Sequence, residues 1–248
     1  MFIHAGIADS RMWNREFELY GKNYTVVRFD LHGLGQTGGA TEPYWDIHDI
    51  HALLKYLDIS SATLVGCSNG GRIALDFVLE YPSMVNALLL LAPALSGWTP
   101  ALDPEGQSVY DKDAARSAEI SADWEAGSEE EALEELRLYW ASAQVGDNLE
   151  LVRKMMKENA REIFTDASAR LNRGLQPPAA GRLGSIIVPT LVLYGDRDEP
   201  TIGYIARRVA REIPHARFVP VSGADHLINL SQPAAFDTAL RELLPPTT

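Results

Sequence analysis

The stretch "TLVGCSNGGRIALDF", Thr63 to Phe77, carries two patterns joined at one serine. Apolar and β-branched residues lead up to Gly66, as in a strand buried on both faces. Past Gly70 the apolar residues fall at helical spacing and continue to Pro82. Between them Gly66-Cys67-Ser68-Asn69-Gly70 matches G-x-S-x-G, in the strand–turn–helix setting that gives this motif its meaning. So sharp a turn forces its middle residue into strained backbone geometry, and glycines two places on either side relieve the crowding. The Ser68 hydroxyl then stands above the sheet. The helix N-terminus beneath it offers free N–H groups and a positive dipole end to a developing oxyanion. A serine before a helix is otherwise an N-cap; the flanking "ATLV" and "RIALDFVLEYP" favour the nucleophile.

Working outward, "YTVVRFD" (Tyr24 to Asp30) reads as a strand running into a Gly-rich loop. "WDIHDIHALLKYLDI" (Trp45 to Ile59) reads as a helix and "VNALLLLAPA" (Val85 to Ala94) as a fully buried strand. The alternation then stops. From about Gly97 to Gly184 the chain is acidic and helical, with no strand signal. Afterwards "SIIVPTLVLYGDRDEP" resumes a strand, "IGYIARRVAREIP" a helix, "ARFVPVSGADH" a strand and "PAAFDTALRELL" a helix. Alternating strands and helices predict a mostly parallel, doubly wound α/β sheet. Residues 1–96 and 185–248 form its core, and 97–184 a helical cap over the carboxyl edge of the sheet, where ligands bind in such folds.

Composition narrows the function. The 248 residues carry a formal net charge of −12, which argues against a nucleic-acid partner. The single cysteine, Cys67, rules out an internal disulfide. No apolar run reaches the length of a membrane span and the start has no signal-peptide pattern, so a soluble, cytoplasmic protein is expected. No zinc-ligand spacing appears, and the glycines after Asp30 have neither dinucleotide nor Walker spacing. Neither a metal nor a cofactor is expected.

A weak hydroxyl needs a base, and the base an orienting acid, in the order serine, acid, histidine for this architecture. Of the six histidines, His32, His48, His51 and His215 sit in loop or helix contexts without a matching acid. His226, in "VSGADHLINLSQP", follows the last strand at the carboxyl edge and is the candidate base. Asp196, Asp198 and Glu199, just past a strand, are the candidate acids. Asp225 reads as a turn cap, and Cys67, one place before the tip, as a small core residue.

"HAGIADSRMW", "FDLHGLGQT", "GCSNGG", "YGDRDEP" and "GADHLINLSQP", in this order over nearly the whole chain, resemble the α/β-hydrolase superfamily, in its serine esterase, enol-lactonase and non-heme haloperoxidase-like branch. The resemblance implies a Ser68–Asp198–His226 triad, because the family's Gly-x-x-Asp spacing from Gly195 falls on Asp198, leaving Asp196 to shape the turn. It implies an oxyanion hole from the amides of Asn69 and Gly6, with Ile7 as the alternative to Gly6. It also implies an N-terminal hairpin that this chain lacks. Thr25 to Asp30 is therefore expected to be an exposed edge strand, so that an N-terminally shortened chain would either form a homodimer through it or be less stable than one carrying the hairpin.

The activity expected is cleavage of a small to medium uncharged carboxylic ester through an acyl-enzyme. Lactone opening, C–C cleavage and a non-catalytic ligand-binding role are the alternatives. Trp98, Tyr110, Trp124, Tyr139 and Trp140 give the cap an apolar interior. Arg72 and Arg137 read as solvated helix-face residues.

Overall fold

Side-chain parity sorts the sheet. The computed structural model describes residues 1–99, 104–165 and 169–245. In it β1 (Phe2–Ile3), β2 (Ala62–Cys67), β3 (Val85–Leu91), β4 (Thr190–Gly195) and β5 (Arg217–Val221) form a five-stranded sheet in that order. Each pairing is parallel, with Val65 opposite Leu89 and Leu89 opposite Leu191. Successive side chains alternate faces. Val65, Leu89, Leu91, Leu191 and Leu193 therefore enter one core, while Leu64, Leu88, Leu90 and Val192 enter the other. Both faces are covered, which explains the unbroken apolar run of β3.

In chain order the helices are α1 (Asn14–Tyr20), α2 (Asp46–Tyr56), α3 (Asn69–Glu80), α4 (Pro104–Glu125), α5 (Glu129–Trp140), α6 (Gly146–Glu158), α7 (Ala160–Ile163), α8 (Pro200–Glu212), α9 (Ile228–Ser231) and α10 (Pro233–Leu243). Ile50 of α2, Phe77 of α3 and Val209 of α8 fill the second core; Phe236 and Leu240 of α10 fill the first. Pro200 and Pro233 open their helices, where the missing N–H costs nothing and the fixed φ suits the first turn.

Helices α4 to α7 all lie between β3 and β4 in the chain. Their Ile120, Leu136, Val152 and Met155 join the same apolar cluster as Val65 and Leu89. The insertion and one face of the sheet thus share a core. The run "NLELVRKMMKENAREIF" does not make one helix: it breaks at Asn159. The Asn159 carboxamide accepts from the Gly35 N–H at 2.8 Å and donates to Asp9 at 2.8 Å.

The sheet edge differs from expectation. Thr25 to Asp30 is not a strand; its ladder contact is one parallel bridge between Phe2 and Arg28, with the Phe2 N–H donating to the Val27 carbonyl at 2.8 Å. The reason is the neighbour: β1 has only two residues to template a partner. The expected edge strand is therefore corrected to irregular chain. The short β1 pairs with β2 and is reinforced by side chains. Phe2 packs 5.1 Å from the buried Trp13, which lies 5.9 Å from Phe236. Such ring pairs contribute about 0.5–1.5 kcal/mol each beyond the area they bury.

Candidate active site

Ser68 lies between β2 and α3 with φ 54° and ψ −115°, neither strand nor helix. For a residue with a Cβ this conformation costs about 1–3 kcal/mol and must be held from outside. Its own N–H donates to the Leu91 carbonyl at 2.9 Å, and its carbonyl accepts from Arg72 and Ala94. The glycines are needed for packing. A Cβ on Gly66 would lie 2.3 Å from the Gly70 oxygen, and one on Gly70 would lie 2.2 Å from the Ile3 oxygen. The Ser68 side chain makes no capping bond to α3 and is partly exposed, so the N-cap reading has no geometric support.

Cys67 points the other way. It is fully buried, and its thiol donates to the His226 carbonyl at 3.4 Å. Burial, and then the nearby Asp198 and Asp225 charges, push the thiol well above its usual range, so it is not a nucleophile here.

His226, in the loop after β5, is buried, and its Nδ1 lies 2.8 Å from Oδ2 of Asp198, in the loop after β4. A carboxylate only accepts, so Nδ1 carries the proton of this bond. The other oxygen of Asp198 accepts from the Glu199 N–H at 2.8 Å. Asp196 faces elsewhere: it accepts from the Ser222 hydroxyl at 3.0 Å and the Gly223 N–H at 2.7 Å. Of the three candidate acids, Asp198 is the one against the imidazole.

Gly6 abuts Asn69: a Cβ on Gly6 would lie 3.7 Å from the Asn69 Cβ. The loop carrying Gly6 is fixed by His4, which is fully buried. His4 donates from Nδ1 to the Ala5 carbonyl at 2.8 Å and accepts at Nε2 from the Leu31 N–H at 2.9 Å. Burial lowers its pKa, which keeps the ring neutral, as that acceptor role requires.

The two arginines are not free helix-face residues: Arg72 is half-buried and Arg137 buried. Arg72 donates to Asn69 Oδ1 at 2.8 Å, Asp46 at 2.8 Å and Asp76 at 3.1 Å, because α2 and α3 bring those carboxylates together behind it. Arg137 is buried against Glu134 and the Ala141 carbonyl. Among the aromatic residues of the insertion, Trp140 packs with its ring tilted 42° to that of His226, centroids 4.5 Å apart, whereas Trp124 stacks on Phe164. Contacts between Trp140 or Gln144 and the His226 loop had no signal in the sequence, since they join residues more than eighty positions apart.

A cavity of about 660 Å³ borders Gly6 and Asn69 and is lined by Arg72, Arg161, Glu162 and Arg170 among others. Among the described residues no three His, Cys, Asp or Glu side chains group as a metal site needs, and no helix is long and apolar enough to cross a membrane.

A strained serine at a strand–helix elbow and a buried His–Asp pair thus stand at one edge of the sheet. The model of the alpha/beta hydrolase family matches residues 1–239, and the chain belongs to that family. It is 23% identical over 237 residues to 3-oxoadipate enol-lactonase 2 of Acinetobacter baylyi, covering 94% of this chain and 83% of that one. Identity is 24% to the putative 2-succinyl-6-hydroxy-2,4-cyclohexadiene-1-carboxylate synthase of Bacillus subtilis, with 98% and 88% covered. Among solved structures, the esterase EaEST from Exiguobacterium antarcticum superimposes with a TM-score of 0.76 at 20% identity, covering 98% of this chain and 90% of that one.

Proposed function

We propose that this protein hydrolyses carboxylic esters through an acyl-enzyme on Ser68. The observation that supports it most is the buried 2.8 Å His226–Asp198 pair at the same sheet edge as the strained, uncapped Ser68. His226 takes the hydroxyl proton at Nε2 while Ser68 attacks the carbonyl, and Asp198 holds the Nδ1–H tautomer. The amides of Gly6 and Asn69 receive the oxyanion. The protonated His226 then gives its proton to the leaving alcohol, and afterwards activates the water that releases the acid. The inserted helices act as the cap over this edge.

A small to medium uncharged ester stays the first substrate class, and one cavity widens it. The cavity beside Gly6 and Asn69 is lined by Arg161 and Arg170 as well as Glu162, which suits an ester with polar or anionic substituents. Lactone opening is a second reading, favoured by the enol-lactonase relative and carried by the same groups.

The test is a panel of p-nitrophenyl esters, half-esters bearing a free carboxylate, and lactones, run on the parent and on Ser68→Ala. Hydrolysis lost in Ser68→Ala, with a phosphonate adduct on the Ser68 peptide of the parent, is the expected result. Turnover by Ser68→Ala near the parent rate would end the proposal.

A further inference from the structure

The loop carrying His226 is tied to more than the sheet. Asp225, buried beside it, accepts from the Ala143 N–H at 2.9 Å and the Leu227 N–H at 3.1 Å. Gln144 Nε2 donates to both of its oxygens, at 2.8 and 3.0 Å. Next to it, the His226 N–H donates to the Trp140 carbonyl at 3.1 Å, and the Trp140 ring lies 4.5 Å from the imidazole. Trp140, Ala143 and Gln144 all come from the end of α5 and the turn that follows, inside the insertion.

Gln144 is itself buried, and its Oε1 has no hydrogen-bond partner among the described residues. The amide has therefore given up its acceptor to aim its donor at Asp225, with the Leu227 carbonyl a third, longer contact at 3.4 Å. Asp225 needs those donors. Burial disfavours its charge, and the Ala143, Gln144 and Leu227 groups work against that penalty.

We propose that Asp225 and Gln144 are positioning residues: they lock the His226 loop onto the inserted helices and thereby hold the imidazole in register with Ser68. This rests on the reading of Ser68, Asp198 and His226 as the reacting groups. On it the insertion supports the base directly, beyond covering the substrate. Neither residue touches the reacting atoms.

The test compares Asp225→Asn, Gln144→Met and the double variant Asp225→Asn/Gln144→Glu with the full-length parent. The readouts are kcat and KM for a p-nitrophenyl ester, the rate of Ser68 labelling by a fluorophosphonate, and the melting temperature. Each single change should lower kcat and the labelling rate by about 10–100-fold with little change in KM, the scale expected when a reacting group is misplaced by about 1 Å. The double variant exchanges donor and acceptor across the contact and keeps the net charge of Asp225→Asn with Gln144→Glu equal to that of the parent. It should recover part of the kcat, because one of the Ala143 and Leu227 N–H groups that bond the two Asp225 oxygens then faces the amide nitrogen of the new Asn.

Single variants that melt lower but keep the parent kcat and labelling rate would overturn the proposal and leave a purely structural contact. So would a double variant that regains its melting temperature but not its kcat. Should Asp225→Asn not fold, Gln144→Met lies outside the His226 loop and decides by the same comparison. A parent whose Ser68 resists the probe would overturn the underlying reading and this inference with it. A parent labelled at the same rate as both folded single variants would overturn this inference alone.

Discussion

Nδ1 of His226 and Oδ2 of Asp198 lie 2.8 Å apart with both side chains out of solvent, joining the loops after β5 and β4. Asp198→Asn would offer this nitrogen an amide in place of a carboxylate and favour the wrong tautomer. Esterase kcat should fall by orders of magnitude, about 10⁴-fold in the serine-protease case. Asp196→Asn, which touches only Ser222 and Gly223, should leave kcat nearly unchanged. The reverse ranking in steady-state assays would reassign the acid.

Gly195 lets those two loops meet. A Cβ there would fall 2.4 Å from the Ala224 oxygen and 2.6 Å from the Asp225 oxygen. Gly195→Ala should cost about 1–3 kcal/mol, the usual scale of overpacking, read by urea denaturation. It should also lower kcat, because the acid turn must move away from His226. Full activity and full stability together would show that the backbone yields there without consequence.

His4→Phe keeps an aromatic ring, one atom larger, but strips the Ala5 carbonyl and the Leu31 N–H of their buried partner. Each orphaned group costs about 1–3 kcal/mol. The Gly6 loop should lose its setting, so kcat should drop more than KM rises. The pH dependence has a definite sign. Burial holds the folded His4 pKa below its ordinary 6.5, so the His4 contribution to parent stability is full above 6.5 and declines as pH falls below it. Thermal melts of His4→Phe should lack that His4 contribution to the acid-side decline.

Glu199 titrates in the opposite sense. Burial first, and then the Asp113 charge, push its carboxyl from 4.5 up to about 7, with Arg116 opposing. The folded state thus binds the proton more tightly than the unfolded chain. Glu199 weakens the fold progressively as pH rises from 4.5 through about 7, and by a constant amount above that. Its partial exposure and screening by solvent keep the effect small. Glu199→Gln should gain in melting temperature relative to the parent at pH 8 compared with pH 5. An equal difference at both pH values would contradict the shift.

The sequence alone determined what depends on neighbours along the chain. The continuous apolar runs and the helical spacings defined β2 to β5 and their helices, and the glycine spacing singled out Ser68, because an elbow is built from consecutive residues. The order of motifs nominated His226 and, with the resemblance, Asp198. Tertiary structure decided the rest. Thr25 to Asp30 is irregular because a two-residue β1 cannot template it. Arg72 is enclosed because Asp46 and Asp76 converge on it from two helices. Asp225 holds Gln144, 81 residues away, because a buried carboxylate must collect donors wherever the packed chain supplies them, and sequence spacing carries no record of such a meeting.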